Sequence, residues 1–133
     1  MRIVCDTNVL VSGVLFNGPP RHILELISRA KVENAISLEI LAEAKNVLLR
    51  PKFGLSSEQV VNIIDTFVET FVLVTPTERV VAVKNDPDDD RILEAAQTAH
   101  ARFIISGDQH LLSIGVWNDV EILSPAVFVK RFG

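Results

Sequence analysis

The chain contains a single cysteine, Cys5, no tyrosine, and three scattered histidines in 133 residues. A lone Cys cannot close an internal disulfide, so this is not a small scaffold held by cross-links. With no second Cys and only His22, His100 and His110, the usual zinc constellations are absent, and any bound metal must be held by oxygen. Long apolar runs are also missing. A membrane-crossing helix needs roughly 18 or more apolar residues, whereas Val9 to Val11 and Val80 to Val83 are among the longest stretches here. The start, Met1-Arg2-Ile3-Val4-Cys5 followed by an acid, has no secretory apolar segment. A soluble, cytoplasmic protein with no membrane partner is the expectation. Nor is there a basic excess: a net charge of -4 and a pI near 5.3 argue against a general nucleic-acid binder.

At this length the chain fits one domain, residues 1–133, large enough to bury a real core and to carry one active site. Hydrophobic residues make up 48% of it and mean hydropathy is +0.31, which is apolar for a soluble domain. Surplus apolar surface points to self-association, as a homodimer or higher homo-oligomer, or to a bound partner protein.

Arg2 to Asp6 reads as an apolar strand buried on both faces and ended by an acid. Helical turns follow from Asn8 to Phe16, and Pro20 can open a helix running to about Lys31. Ala35-Ile36 is a short strand, after which Ser37 caps a helix that Pro51 stops. Ser56 to Gln59 has capping-box spacing, which predicts a helix over Ser57 to Thr70. Phe71 to Val74 and Val80 to Val83 are β-type runs, of which one or both form strands. A helix from Asp88 or Asp89 to about His100, the strand Phe103 to Ile105, the strand Val120 to Leu123, and a terminal helix from Ser124-Pro125 complete the chain. Strands alternating with helices imply an α/β fold with a parallel sheet covered by helices on both faces, and sites then form beyond the carboxyl ends of the strands.

Asp6 and Asp108 each follow a buried-type strand, and Asp90 opens the helix before the second of these strands. Singly, such residues can be turn or capping residues, and Asp88 to Asp90 can simply favour a helix N-terminus. As a set, carboxylates converging at one sheet edge repel one another unless a cation compensates. Hard cations such as Mg2+ and Mn2+ prefer these oxygen ligands. Thr7, Asn8 and Ser106 stand beside the acids and can donate hydrogen bonds to them, or Thr7 and Asn8 can only cap the following helix. His110, two residues after Asp108, can donate a proton or contact phosphate but reads better as a surface or capping residue, Cys5 reads as a core residue, and Trp117 and the phenylalanines read as core or interface rather than base-stacking groups.

The ordered set Val4-Cys5-Asp6-Thr7-Asn8, Leu41-Ala42-Glu43, Arg50-Pro51-Lys52-Phe53, Asp86-Pro87-Asp88-Asp89-Asp90 and Ser106-Gly107-Asp108-Gln109-His110-Leu111-Leu112 resembles the PIN domain over nearly the whole chain. It is similar to the toxin components of toxin-antitoxin systems, the VapC-like ribonucleases. The resemblance implies a three-layer α/β/α sandwich with a mainly parallel central sheet, a Mg2+- or Mn2+-dependent endoribonuclease activity on RNA, a homodimer, and an antitoxin protein as partner. It matches Asp6, Glu43 and Asp108 to the family's acids, and counting back from Asp108 puts the third acid at Asp90. Asp89 is one residue away, and Asp86 recurs in similar sequences.

On that reading Asp6, Glu43, Asp90 and Asp108 hold the metal, which activates water and steadies the phosphate charge, while Thr7, Asn8, Asp86, Asp89 and Ser106 support the ligands. Bound cations reverse the local charge, so the acidic pI ceases to be an objection. Arg21, Lys45, Arg50, Lys52, Lys84 and Arg91 are the candidates for RNA contact. Two other readings compete. One is a non-catalytic partner-binding module on the same fold. The other is a phosphoryl-transfer protein of dehalogenase or receiver type, against which Asn8 stands where a second Asp is wanted.

Overall fold

The computed structural model describes residues 1–82 and 86–133. In chain order the elements are β1 (Arg2–Cys5), α1 (Thr7–Leu15), α2 (Pro19–Ser28), β2 (Glu33–Ile36), α3 (Leu38–Leu48), a 3-10 turn (Pro51–Phe53) and α4 (Ser57–Thr70). They continue with β3 (Val72–Leu73), α5 (Pro87–Ala99), β4 (Phe103–Ile105), α6 (Gln109–Ile114), β5 (Val116–Trp117), β6 (Val120–Leu123) and α7 (Pro125–Phe132). The six strands form one sheet in the order β3-β2-β1-β4-β6-β5. Every pairing is parallel except the short β5–β6 ribbon.

Right-handed crossovers put the helices joining β1 to β2 to β3 on one face and α5, which joins β3 to β4, on the other. The result is a three-layer α/β/α sandwich. Its core is aliphatic: Ile3 and Val4 of β1, Ile104 and Ile105 of β4, and Leu93 of α5 are fully buried. Phe103, Phe128 and Phe132 add an aromatic cluster under α7. Strands buried on both faces need near-continuous apolar sequence, which β1 and β4 have. Among the described residues no helix is long and apolar enough to cross a membrane.

Helix starts follow the side-chain oxygens in the sequence. Ser37 accepts from Ile40 N–H, Ser124 from Val127 N–H, and Ser56 with Gln59 forms the reciprocal capping box. Gly13 is required by close approach: a Cβ there would lie 2.6 Å from Leu24 Cδ1 and 2.9 Å from the Pro20 carbonyl oxygen, where α1 meets α2. The Arg21 guanidinium locks the same corner by donating to the carbonyls of Gly13 and Val14 and to Asn17 Oδ1.

Three expectations change. Helix α2 ends at Ser28 rather than Lys31, because Ala30 turns into the left-handed region at φ 57°. Of the two β-type runs only Val72–Leu73 pairs, as an edge strand on β2; residues 80–82 carry no strand, and Val83 lies outside the described residues. The backbone N–H groups of Val80 and Ala82 are instead taken by the carboxylates of Glu94, at 2.8 Å, and Asp90, at 3.0 Å, on α5. Helix α6 and strand β5, too short to show a period, were not anticipated.

Candidate metal centre

In sheet order β1 stands between β2, to which the chain goes next, and β4, which it reaches after crossing back. That reversal opens a crevice beyond the carboxyl ends of β1 and β4. Asp6 and Ser106 are the first residues past those two strands. Asp6 is buried and does three things. Its N–H continues the sheet by donating to the Ile105 carbonyl, its Oδ1 caps α1 by accepting from Val9 N–H at 2.9 Å, and its Oδ2 accepts from the Ser106 hydroxyl. Ser106 Oγ in turn accepts from Asp108 N–H at 2.9 Å, so one buried hydroxyl ties the two acids together. Asp108 caps α6, accepting from His110 N–H at 2.7 Å and Leu111 N–H at 3.3 Å.

Glu43 reaches the crevice from α3 and Asp89 from the first turn of α5. A narrow cavity there is lined by five carboxylates, Asp6, Glu43, Asp88, Asp89 and Asp108, together with Thr7 and Asn8. Its volume of about 30 Å3 exceeds the ~10–15 Å3 that a single water-sized occupant requires. A second donor group overlaps it: ligand atoms of Asp86, Asp89, Asp108 and His110 all lie within 4.8 Å of one another. His110 Nδ1 stands 3.7 Å from both Asp86 Oδ2 and Asp108 Oδ1.

The electrostatics are those of crowded acids. Burial raises the Asp6 carboxyl, the Ser106 hydroxyl and Val9 N–H draw it back, and the Asp108 charge raises it again. Burial likewise raises Glu43; the Thr7 hydroxyl lowers it, and the charges of Asp88, Asp6 and Asp86 add to the rise. Asp89 is pushed up to about 8, first by burial, then by sharing a hydrogen bond with Asp86 and by the charges of Asp108, Asp86 and Asp6. Asp89 Oδ2 is buried and receives no hydrogen bond among the described residues. An orphaned carboxylate oxygen among other carboxylates fits a hard divalent cation, whose preferred ligands are these. Cys5, one residue before the site, takes no part: burial and the Asp6 charge hold its thiol protonated.

Of the acids proposed from sequence, the structure brings Asp6, Glu43 and Asp108 to one cavity and leaves Asp90 out of it. Successive helix residues point about 100° apart; Asp89 shares the cavity face with Ile92, three residues on, and Asp90 turns to Ala82 N–H. Asp86 is the N-cap of α5, accepting from Asp89 N–H at 3.4 Å. Two residues outside the sequence-derived set stand at or beside the cavity, Asp88 and His110. In sequence Asp88 reads best as a helix-capping acid, and His110 as a surface or capping residue rather than the proton donor or phosphate contact that its place two residues after Asp108 also allows. Buried Asn34 also lies outside that set; its Oδ1 accepts from Cys5 N–H at 2.9 Å and fixes the end of β1 just before Asp6.

The cationic candidates divide. Arg21 spends its donors on α1 and Asn17, and Arg91 turns Nη2 inward to Glu94, at 2.9 Å, and the Val80 carbonyl. Arg50 and Lys52 line a second cavity that shares Asn8 with the acidic one. Lys45 is exposed on α3, and Lys84 lies outside the described residues.

A mainly parallel α/β/α sandwich with carboxylates converging at its switch point defines a class of protein able to hold a divalent cation at a sheet edge. The chain belongs to the PIN domain family, whose model matches residues 2–110. No curated protein matches the sequence. Among solved structures it is similar in fold to a chain of VapBC2 from Rickettsia felis bound to a DNA fragment from their promoter. There the TM-score is 0.65 and the identity 16%, covering 93% of this chain and 98% of that one. It is also similar to a chain of VapBC-1 from nontypeable Haemophilus influenzae, at TM-score 0.60 and 17% identity over 95% of this chain and 99% of that one.

Proposed function

We propose that this PIN domain is a divalent-metal-dependent endoribonuclease and the toxin of a toxin-antitoxin pair. The observation that carries the reading is the convergence of Asp6, Glu43, Asp89 and Asp108 on one cavity, with a buried oxygen on Asp89 that has no hydrogen-bond partner among the described residues. These four carboxylates would hold Mg2+ or Mn2+. When bound, such a cation supplies an activated water and charge stabilisation at a phosphodiester.

The chain's own residues do the rest. Ser106 holds Asp6 and Asp108 in fixed relation. The N-termini of α1 and α6, each capped by a site acid, offset part of the negative charge. His110 is exposed, with Nδ1 3.7 Å from both Asp86 Oδ2 and Asp108 Oδ1.

An antitoxin partner is supported by the fold it shares with the VapBC proteins. A mostly apolar groove between α1, α2 and α4, lined by Val14, Leu24, Ile63 and Phe67, offers such a partner a surface. Homodimerisation and a cytoplasmic location belong to the same proposal.

The test is cleavage of single-stranded RNA by the purified protein in Mn2+ or Mg2+ against EDTA, with Asp6→Asn as the control. Cleavage in metal alone, lost in Asp6→Asn, is expected. Cleavage that survives EDTA or the substitution overturns the reading.

A further inference from the structure

The groove beside the acidic cavity has chemistry of its own. Its walls come from α1 and from the end of α3 with the 3-10 turn, and it encloses about 470 Å3, within the ~300–1,000 Å3 of ligand pockets. Buried Val11 and Val47 belong to a small satellite core that also packs Phe53. Phe16 lines the groove and is 57% exposed. A Phe that open to water is not there for core packing, yet its backbone is fixed, because its N–H donates to the Ser12 carbonyl at 2.9 Å and ends α1.

Two cations share the groove, and neither is neutralised. Arg50 and Lys52 make no ion pair and no side-chain hydrogen bond among the described residues; Lys52 Nζ only stands 5.1 Å over the Phe53 ring. The groove is continuous with the acidic cavity through Asn8, which lines both. From Asn8 to Phe16 helix α1 runs roughly 12 Å. The same two helices therefore carry an acid toward the metal centre and an aromatic or basic residue away from it: Asp6 before α1 and Phe16 after it, Glu43 within α3 and Arg50 beyond it.

The geometry points to a subsite for a nucleotide of single-stranded RNA flanking the one being cut. The base stacks on Phe16 and the backbone phosphates meet Arg50 and Lys52. An exposed aromatic platform within a basic groove is how single strands are held without sequence readout. A paired duplex cannot offer the base face. This inference rests on the ribonuclease reading for its substrate class, and it gives Phe16 a role that composition alone assigned to the core or an interface.

The test measures binding of a short fluorescent single-stranded oligoribonucleotide to the full chain in EDTA, by anisotropy over a range of salt. Phe16→Ala is expected to weaken binding about ten-fold. The pair Arg50→Gln with Lys52→Gln is expected to lower the salt slope by about 0.7 for each cation removed. Lys31→Gln, exposed before β2 at the opposite sheet edge, changes neither. Thermal melts establish that each variant is folded; Phe16, being exposed, is the variant that keeps its fold. Absence of RNA binding by the parent, or unchanged affinity and slope in the variants, overturns the subsite, and equal binding of duplex RNA does so too. If the parent cleaves in Mn2+ while the variants bind RNA as it does, the subsite alone fails. If the variants lose binding but the parent never cleaves, the ribonuclease reading alone fails and the subsite stands.

Discussion

Replacing Asp89 by Asn removes a strongly perturbed acid of the site while nearly preserving its shape. In the unfolded chain an aspartate titrates near ~3.9, and in the fold Asp89 does so at about 8. The folded state therefore holds a proton that the unfolded state has lost across that window. Its raised value stabilises the fold fully below the unfolded pKa, and this contribution fades as pH rises through the window. Each pH unit within it costs the metal-free protein about 1.4 kcal/mol, so near neutrality the ceiling is roughly 4 kcal/mol. Asn cannot titrate and escapes that loss. Because Asp86, Asp108 and Asp6 share the effect, the gain for Asp89→Asn in EDTA should fall at about 1–4 kcal/mol near neutrality. At roughly 4 °C per kcal/mol for a chain of this size, melting rises by about 4–15 °C. Circular-dichroism melts in EDTA across the acidic to neutral range measure it. The two proteins should melt together near the acidic end and separate as pH rises. Equal melting at every pH, or a gap that narrows with rising pH, refutes the reasoning.

Two further outcomes concern the frame around the site. Gly13→Ala drives a Cβ against Leu24 and the Pro20 carbonyl and should lower stability by about 1–3 kcal/mol in urea denaturation; a neutral result would show that α1 and α2 can separate freely. Glu94→Ala leaves Arg91 without its buried partner and frees the Val80 N–H. It should cost about 3 kcal/mol or more, with faster amide exchange at Val80, and unchanged exchange there would contradict the clamp.

Much of the fold could be read from period and punctuation. The strands Phe103–Ile105 and Val120–Leu123 and the helix Ser57–Thr70 fall where continuous apolar runs and a capping box put them. What escaped was short or decided by tertiary contact. Six residues of α6 and two of β5 are below the length at which a period shows, and the Val80 region satisfies its N–H groups with α5 carboxylates rather than a ladder. The site had the same limit. Asp6 and Asp108 were visible as acids ending buried strands, whereas Asp89 and Asp90 differ by one residue, and only the rotation of α5 decides which faces the cavity. Charge counting was equally blind to Arg21 and Arg91, which look like RNA contacts in sequence but spend their donors inside the protein.

On the reading proposed above, Asp6, Glu43, Asp89 and Asp108 together form a centre for a divalent cation. Calorimetric titration of Mn2+ into RNA-free protein, comparing the parent with Asp89→Asn and Asp90→Asn, addresses it directly. The parent should bind Mn2+, Asp89→Asn should bind at least about ten-fold more weakly, and Asp90→Asn, whose side-chain oxygen still accepts from Ala82 N–H, should bind like the parent. No Mn2+ binding by the parent, or a loss confined to Asp90→Asn, would contradict it.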